Sequence, residues 1–498
     1  MAQTFPSASH TSALQGLEEF IETIRQEWQV PGLGIGITRD GETIFSSGFG
    51  KRNLADNQAV TPQTLFAIGS CSKAFTALAL AILVDEGKLD WDTPIKQYIP
   101  TFKLADNVAT EHATARDLLC HRTGLARNEM MWFNSTISRK ELVDRLRYCE
   151  AQHSFRSTWL YQNMMFALAG YLVEVLSGQS WEEFVRERIF LPLGMRNSNF
   201  SVHESQQSSD FSLPYKLEAG EVKRDWFYDR FDAVGPAGSI NSNIEDMLQW
   251  LRCMLQQSQY GENGQRLVSA AQFEQLITPH MIVPVQPGLE RYQEEFYRTY
   301  ALGWAVNSYR GHTLFTHTGG INGFISQVTG FPDDGIGVVV LTNLGDPLGE
   351  ITKVITYHLA DRLLGLDELN WNERCHKAAD YLRKLSEDAE NEPKEVHSAN
   401  APLSHPLSAY AGEYRHPGFG TFTIAAAENG LKGILNDLEY SFEHDLYDVF
   451  SVSEKTLDLA CKIVFMSNIK GDIDSFSIPL DPEVSPIVFT RALANDAD

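Results

Sequence analysis

The segment 72–86, SKAFTALALAILVDE, is apolar on nearly every side of the helix that its composition predicts. A helix without a polar face has to be buried all round. Gly87 follows it, as glycine commonly does at the end of a helix, and 164–177 predicts a second, mostly apolar helix. The chain must therefore fold around a core large enough to enclose whole helices, and the 43% of its 498 residues that are apolar can supply that core.

The remaining patterns up to about residue 365 predict strands next to helices. In 314–343, two β-prone runs flank the turn residues 332–335, Pro-Asp-Asp-Gly. Asp40-Gly41 separates two more such runs and indicates a hairpin, while 13–28 has the spacing of an amphipathic helix. We therefore expect an α+β fold with a central antiparallel sheet flanked by helices on both faces.

The composition changes after the first 365 residues. Residues 366–402 are charged and predict a solvated helix followed by a linker, and 403–498 contain short β-prone runs separated by turns. The last segment predicts a small antiparallel sandwich or barrel. The expected organisation is a large α+β domain over 1–365, the helix and linker over 366–402, and a β domain over 403–498. The β-prone runs are 410–414, 420–425, 434–436, 449–452, 463–466, 473–478 and 487–491.

Charge and composition narrow the choice of partners. The formal net charge of -24 disfavours nucleic acid and anionic membranes, because both attract basic surfaces. Six scattered cysteines without a C-x-x-C pair predict neither a disulfide framework nor a zinc site, and we expect no metal or organic cofactor. No signal peptide or membrane span is visible, so a cytoplasmic location is expected, although a removed leader would be compatible with the sequence.

A serine with a lysine three residues later begins the buried helix. A serine is a weak nucleophile until a base takes its proton, and the spacing from Ser70 to Lys73 places both side chains on one helical face. Burial and the helix N-terminus would lower the pKa of Lys73 toward neutrality. On these residues alone the favoured interpretation is still structural, with Ser70 capping the helix and Lys73 reaching out to solvent.

Two other serine patterns do not compete with this one. A second S-x-x-K match, Ser467 to Lys470, lies between two β-prone runs and precedes Gly471, which predicts a turn. The G-x-S-x-G motif of a common Ser-His-Asp fold is absent.

Two further motifs reverse the structural interpretation. Tyr161-Gln162-Asn163 is the single Y-x-N in the chain, and His317-Thr318-Gly319 is the single [HK]-T-G. The order S-x-x-K, Y-x-N, [HK]-T-G is far more specific than any one of its members.

With these motifs the chain resembles the serine β-lactamase and penicillin-binding-protein superfamily. It is most similar to the branch that holds class C β-lactamases, D-alanyl carboxypeptidases, D-amino-acid peptidases and related esterases. The resemblance covers roughly 15–365 and includes the segments LLCHRTGL, FLPLGM and GPAGSINSNIEDMLQW. Residues after 403 resemble the lipocalin-like β domain of some members. A β-lactamase/transpeptidase-like fold is implied, with a helical subdomain over about 90–210 and a C-terminal barrel.

The resemblance also implies catalytic roles. Ser70 would form the acyl-enzyme, and Lys73 would take its proton. The hydroxyl of Tyr161 would pass a proton to the leaving group and then help to activate water.

Substrate-binding roles follow in the same way. Asn163 would hold the acyl-side amide and steady Lys73, and His317, Thr318, Gly319 and Gly320 would form the substrate-binding strand. The backbone N–H groups of Ser70 and Gly320 would form the oxyanion hole. Such donors typically contribute about 10²–10³ in rate.

His317 departs from the lysine that β-lactamases of this branch carry. Histidine is mostly neutral at pH 7, so it would not grip a substrate carboxylate as a lysine does. We therefore expect weak or no β-lactamase activity. Two further segments are candidates for specificity, namely the Met- and aromatic-rich loop 128–134 and an apparent insertion over 281–300. For the loop, an exposed acyl-pocket wall and ordinary packing between subdomains are equally compatible with the sequence.

The expected function is hydrolysis of esters, amides or D-amino-acid peptides through a seryl ester, with a small molecule or peptide as substrate. An acyltransferase or peptide cyclase with the same residues is one alternative. A non-catalytic scaffold protein is the other, although the complete set of motifs argues against it. The oligomeric state stays open, a homo-oligomer included.

Overall fold

A computed structural model provides the coordinates of the chain. It describes residues 13–284, 292–345, 350–390, 401–428, 430–456, 459–480 and 484–492. The predicted α+β class is confirmed, because a large antiparallel sheet lies between helices and a separate barrel follows.

Nine strands of the described part of the chain form the main sheet, and each pairs antiparallel with its neighbours. In spatial order they are Met281–Ile282, Glu295–Tyr300, Ala305–Tyr309, His312–Ile321, Phe324–Phe331, Ile336–Thr342, Gly32–Arg39, Glu42–Asn53 and Gln58–Ala59. The predicted hairpin at Asp40-Gly41 is confirmed. Both residues adopt positive φ, 51° and 84°, as the tight connection requires.

Alternation along the central strands produces two cores. Val338 and Val340 belong to one buried cluster, and Val339 and Leu341 belong to the other. The first cluster includes residues of the helices Leu17–Glu27 and Glu350–Leu364, which begin and end the domain. The second lies against the helix Ile244–Leu255. Helices therefore cover both faces, as the sequence predicts.

The α-helices of the described residues surround this sheet. They are Leu17–Glu27, Ser72–Asp85, Ile95–Tyr98, Asn107–His112, Ala115–Leu119, Arg139–Arg145, Asn163–Ser177, Trp181–Val185, Leu191–Leu193, Val202–Ser205, Gly235–Gly238, Ile244–Leu255, Ala270–Ile277, Glu350–Leu364 and Trp371–Glu390. None of them is long and apolar enough to cross a bilayer.

The helix Ser72–Asp85 is buried as its composition predicts. Every side chain from Ser72 to Leu83 is buried, and the helix packs against Asn163–Ser177 of the helical subdomain. Gln162 caps that second helix, with its side-chain oxygen accepting from the N–H of Met164. The start of one buried helix thus faces the start of the other, where the two sequence motifs lie.

The helix after residue 366 is less solvated than predicted. Trp371, Cys375 and Ala379 are buried, because one face of Trp371–Glu390 packs against Glu350–Leu364. The charged composition of the segment belongs to its other face. Most of the predicted linker, 391–400, lies outside the described residues.

The C-terminal segment is a closed barrel, which settles the choice between sandwich and barrel. Its eight strands pair in chain order, and the last pairs with the first. They are Gly412–His416, Gly420–Ala427, Gly430–Leu435, Leu438–Leu446, Val449–Glu454, Leu459–Ser467, Ile473–Ile478 and Ile487–Arg491. The predicted turn after Ser467 is confirmed, since the Asn468 side chain accepts there from the N–H groups of Lys470 and Asp472.

Candidate active site

Ser70 lies in a short 3₁₀ turn, Gly69–Cys71, that leads into the buried helix. Gly69 has φ of 49°, and a Cβ atom there would lie 2.9 Å from the backbone nitrogen of Gly320. Glycine is required at 69 for both reasons. The close approach brings the strand that carries the His-Thr-Gly motif alongside Ser70.

Gly319 is a second point of contact between this strand and the serine turn. A Cβ atom at Gly319 would lie 1.9 Å from the carbonyl oxygen of Ile68. This clash would be with backbone, so rotating a side chain could not relieve it. Ser326, on the next strand, donates to the same carbonyl at 2.7 Å. The backbone of Gly320 is therefore held in register with Ser70.

Lys73 makes three contacts from a fully buried position. Its Nζ donates to Ser70 Oγ at 3.0 Å, to Asn163 Oδ1 at 2.8 Å and to the carbonyl of Ala237 at 2.8 Å. Burial lowers the pKa of Lys73 well below its ordinary value, and the negative charge of Glu129 acts in the opposite direction. After losing a proton, the amine can accept the hydroxyl proton of Ser70.

Tyr161 also reaches the serine. Its hydroxyl is hydrogen-bonded to Ser70, and its ring centre lies 4.8 Å from Lys73 Nζ. Burial raises the pKa of Tyr161, so the phenol carries its proton at neutral pH. The structure thus brings Ser70, Lys73, Tyr161 and Asn163 together around one hydroxyl group.

Glu129 belongs to this cluster, and the sequence analysis did not identify it. Asn163 Nδ2 donates to its two carboxylate oxygens at 3.1 and 3.4 Å. A carboxylate can only accept, so this contact orients the amide and turns its oxygen toward Lys73. Arg127 forms an ion pair with Glu129 at 3.0 Å, and burial raises the pKa of Glu129. The signal in the sequence was a charged residue in an otherwise apolar loop.

Burial alternates along the His-Thr-Gly strand. Thr318 and Gly320 are exposed, whereas His317 and Gly319 are buried. His317 Nδ1 lies 2.6 Å from the carbonyl of Thr318 and therefore donates to it. Its Nε2 then accepts from the hydroxyl of Tyr300 at 2.8 Å.

His317 is consequently neutral and fully engaged. Burial lowers its pKa from 6.5 to about 3, and the charge of Lys73 acts in the same direction. Both ring nitrogens have protein partners. The side chain offers a substrate neither a positive charge nor an N–H group.

A second histidine packs between the two tyrosines. His121 is fully buried, with ring centres 4.4 Å from Tyr161 and 4.8 Å from Tyr300. Its Nδ1 accepts from the N–H of Gln162 at 3.1 Å, which places the ring proton on Nε2. It fixes the position of Tyr161 through packing, and the sequence analysis noted only the segment that contains it.

An apolar cleft extends from the serine turn. Gly238 connects them, because a Cβ atom there would lie 3.6 Å from the backbone of Gly69. We call this feature the aromatic cleft, and Asp229 and Asp232 also contribute to its wall. Its apolar lining consists of Leu65, Ala67, Phe200, Val202, Phe211, Phe227, Phe231, Ile321 and Phe324, with Tyr228 beside them.

Of the two segments expected to shape specificity, the loop 128–134 agrees with the packing alternative, and 281–300 differs from the predicted insertion. Met131 and Trp132 of the loop 128–134 are buried rather than exposed, and the Trp132 ring contacts Phe231 of the aromatic cleft. The segment 281–300 is not a simple insertion, since Met281–Ile282 is the edge strand of the main sheet and Glu295–Tyr300 is the strand next to it. Its centre, 285–291, lies outside the described residues.

Within the described ranges, no three His, Cys, Asp or Glu side chains are grouped so that they could hold a metal ion.

Comparisons with known proteins extend these observations over the whole chain. The family model for Beta-lactamase matches residues 17–363, and a model described as a domain of unknown function, DUF3471, matches residues 396–491. The second match covers the barrel strands.

Two curated relatives illustrate the range of similarity. The chain is 29% identical to the unguisins hydrolase ungD' of Aspergillus campestris over 435 residues, which cover 82% of this chain and 77% of the relative. It is 25% identical to the protein flp of Staphylococcus aureus over 354 residues, which cover 70% and 66% of the two chains.

Solved structures share the fold. The octameric penicillin-binding protein homologue from Pyrococcus abyssi aligns with a TM-score of 0.64 at 23% identity, covering 93% of this chain and 97% of that one. The D-amino acid amidase from Ochrobactrum anthropi SV3 aligns with a TM-score of 0.56 at 22% identity, covering 70% and 99%. The family match spans most of the chain and includes every motif around Ser70. The chain belongs to the Beta-lactamase family and is a serine hydrolase of that superfamily.

Proposed function

We propose that the chain hydrolyses amide or ester bonds through an acyl-enzyme on Ser70, with Lys73 as the base. The observation that carries this proposal is the 3.0 Å contact between a buried Lys73 Nζ and Ser70 Oγ. Burial favours the neutral amine, and the neutral amine is the form that can take the serine proton. Contacts to Asn163 and to the carbonyl of Ala237 hold the amine in place.

The acylation step follows from this arrangement. Ser70 Oγ attacks the substrate carbonyl carbon while its proton moves to Lys73, and the carbonyl oxygen becomes an oxyanion. The N–H groups of Ser70 and Gly320 are the proposed oxyanion donors. Collapse of the tetrahedral intermediate breaks the bond to the leaving group. The leaving group takes a proton from Tyr161, which regains one from the Lys73 ammonium.

Deacylation reverses these transfers with water. Tyr161 and Lys73 together accept a proton as water attacks the ester carbonyl, and Ser70 leaves with a proton returned to its oxygen. Asn163, oriented by Glu129, is only partly buried and is suited to hold the acyl-side amide of the substrate. No group outside the described cluster is needed for either step.

The site also favours one class of substrate. His317 is neutral and hydrogen-bonded to Tyr300, so it provides no cation for a substrate carboxylate close to the scissile bond. Penicillins carry such a carboxylate and are therefore disfavoured as substrates. The aromatic cleft beside Gly69 suits an apolar acyl-side group. A relative is named a hydrolase of unguisins, and a structural neighbour is a D-amino acid amidase solved with D-phenylalanine. We propose amides, esters and D-amino-acid peptides with apolar side chains as substrates.

Acyl transfer to an amine or alcohol, including peptide cyclisation, would use the same acyl-enzyme. It differs in the nucleophile that ends the cycle, so product analysis with added amines separates it from hydrolysis. Homo-oligomerisation is a further expectation, and sedimentation velocity measures it directly.

The test is pre-steady-state release of p-nitrophenol from a short p-nitrophenyl ester. The wild type should give a burst of one equivalent and a protein mass increased by one acyl group, and Ser70→Ala should give neither. Ser72→Ala is the matched control, because Ser72 Oγ accepts from the Ile240 N–H and does not contact Lys73 Nζ. A burst that persists in Ser70→Ala would overturn the mechanism.

A further inference from the structure

The tip of one barrel hairpin contacts the catalytic domain, in addition to the turn at Gly418, whose carbonyl accepts from Arg145 at 3.3 Å. Asn436 and Asp437 connect the strands Gly430–Leu435 and Leu438–Leu446, and both adopt left-handed φ, 50° and 58°. Two such residues in sequence make a tight turn of the kind that hairpins favour. The turn lies against the loop 128–134 of the helical subdomain, far from these residues in sequence.

Asn436 binds this loop with both its side chain and its backbone. Its Nδ2 donates to the carbonyls of Met130 and Phe133, each at 3.0 Å. In return, Asn134 Nδ2 donates to the carbonyl of Asn436 at 2.8 Å. One amide therefore satisfies two loop carbonyls, and a third hydrogen bond fixes the register of the contact.

Asp437 ties the same turn to the wall of the aromatic cleft. Its carboxylate pairs with Arg230 at 2.5 Å, and Arg230 also donates to the carbonyl of Asn134 at 3.3 Å. The next residue, Phe231, lines the cleft and contacts the ring of Trp132. The hairpin tip, the loop and the cleft wall thus form one connected unit.

The same loop also contacts the cluster around Ser70 through Glu129. Glu129 begins the short 3₁₀ turn Glu129–Met131, and Asn436 binds the carbonyl of Met130 within that turn and the carbonyl of Phe133 just after it. The carboxylate of Glu129 accepts from Asn163, and Asn163 accepts from Lys73. The path from the barrel to Lys73 therefore runs through the loop backbone and the side chains of Glu129 and Asn163.

We propose that Asn436 is a positioning residue for the catalytic site. It holds the loop 128–134 so that Glu129 keeps Asn163 and Lys73 in their catalytic arrangement. This proposal rests on the proposed function of Lys73 and adds the barrel to the machinery of that site. It assigns the C-terminal domain a role in the reaction that the sequence left open.

The proposal predicts a change that loss of stability alone would not cause. The charged and titratable groups around Lys73 are Glu129 and Arg127 from the loop, together with Cys71, Tyr161, His121 and His317 from other elements. Glu129 exerts the largest charge effect on Lys73 and raises its pKa. Displacement of Glu129 removes that effect while Lys73 stays buried within its own helix, so we expect the pKa of Lys73 to fall.

The experiment compares Asn436→Gly with Asn468→Gly in the full chain. Glycine accepts the left-handed conformation of 436 and removes the amide without adding charge. Asn468 lies in another barrel turn, where its side chain accepts from Lys470 and Asp472 of that same turn. Both variants lose one turn-stabilising amide, and only the first loses contacts to the loop.

Two measurements are made on both variants. Hydrogen–deuterium exchange of peptides spanning 126–136 should be faster in Asn436→Gly and unchanged in Asn468→Gly. In the ester assay, Asn436→Gly should lose about tenfold in kcat, and the acid limb of its kcat/KM profile should move to lower pH. Asn134→Gly, which removes the reciprocal hydrogen bond, should change both in the same direction.

Unchanged exchange in Asn436→Gly would overturn the proposal whatever the wild type catalyses. Faster exchange with unaltered kcat and pH profile would overturn the link from the loop to Lys73. A wild type without a Ser70-dependent burst would instead count against the proposed function, and the exchange measurement would still decide whether Asn436 holds the loop.

Discussion

The hydroxyl of Tyr300 donates to Nε2 of His317 at 2.8 Å and leaves that ring with no N–H group for a substrate. The neutrality that the sequence predicts for His317 therefore has two structural causes. Burial disfavours the charged ring, and Tyr300 occupies the one nitrogen that could have faced a ligand. Tyr300 comes from the strand next to the edge of the main sheet, and the sequence of that strand carries no motif.

The first prediction concerns β-lactams. The ring of His317 faces the cluster around Ser70, since its centre lies 6.4 Å from that of Tyr161, so the ammonium group of His317→Lys can bind a carboxylate held there. We expect kcat/KM for acylation by a carboxylate-bearing β-lactam to rise by about tenfold, which corresponds to about 1.4 kcal/mol. Hydrolysis of a chromogenic cephalosporin measures this rate.

His317→Gln is the matched control for that substitution. Glutamine can donate to the Thr318 carbonyl and accept from Tyr300, but it carries no charge. A gain in both variants would mean that space, and not charge, limits β-lactam acylation. No gain in His317→Lys would contradict the charge argument.

The second prediction is a dependence of stability on pH. The pKa of His317 is about 3 in the folded chain and 6.5 ordinarily, so between these values the unfolded chain binds more protons. The free energy of unfolding therefore falls as pH drops through this window, by about 1.4 kcal/mol per pH unit for this group. Above pH 6.5 the ring is neutral in both the folded and the unfolded chain, so this loss of unfolding free energy is absent.

Urea unfolding at pH 7 and pH 5 measures this loss. The wild type should lose about 2 kcal/mol more than His317→Gln between these two values, since that variant has no titrating ring at 317. His121, which is also buried with a lowered pKa, is present in both proteins and cancels in the comparison. Equal losses in both proteins would show that His317 takes up its proton without unfolding.

How far the sequence predicts the structure depends on how local the determining pattern is. Ser70 and Lys73 are one helical turn apart, and Tyr161 and Asn163 flank a helix cap, so short patterns identify them. Glu129 and Tyr300 reach the site through the tertiary packing of a loop and of a strand near the edge of the sheet. No spacing within either segment indicates that approach.

The barrel shows the same limit. Its strand Leu438–Leu446 alternates buried and exposed residues, but its charged outer positions hide it from a search for β-prone runs. The helix Trp371–Glu390 is charged overall and still buries Trp371. In both elements a polar face exposed to solvent masks an apolar face, because composition averages over the two.

The third prediction separates the charge of Glu129 from its hydrogen bond. Glu129→Gln removes the carboxylate that raises the pKa of Lys73, but the new amide oxygen can still accept from Asn163. Lys73 then loses its proton at lower pH. We expect the acid limb of the kcat/KM profile to move down by about one pH unit, with kcat nearly unchanged.

Glu129→Ala removes the hydrogen bond as well. The amide of Asn163 is then free to rotate, and we expect the same shift in pH together with a loss of about tenfold in kcat. Stopped-flow acylation rates over the pH range measure both. An acid limb that stays in place in both variants would show that another group controls the profile.

The last prediction tests the backbone of the proposed oxyanion hole through two neighbouring glycines. Gly319→Ala would place a methyl group 1.9 Å from the Ile68 carbonyl and 2.6 Å from Ser326 Oγ, so the strand has to move away from the serine turn. Gly320→Ala would meet only the end of the Ile325 side chain, at 3.3 Å, and a flexible side chain can yield. Both variants keep the backbone N–H at 320, and they differ in where that group lies relative to Ser70.

We expect Gly319→Ala to lose at least about 10² in acylation rate, the effect of removing one oxyanion donor, and Gly320→Ala to lose less than about tenfold. Acylation is followed by the p-nitrophenol burst, with circular dichroism of both variants to confirm that the sheet is intact. Equal losses in the two variants would mean that the approach of the strand to Ile68 does not govern the position of the oxyanion donor.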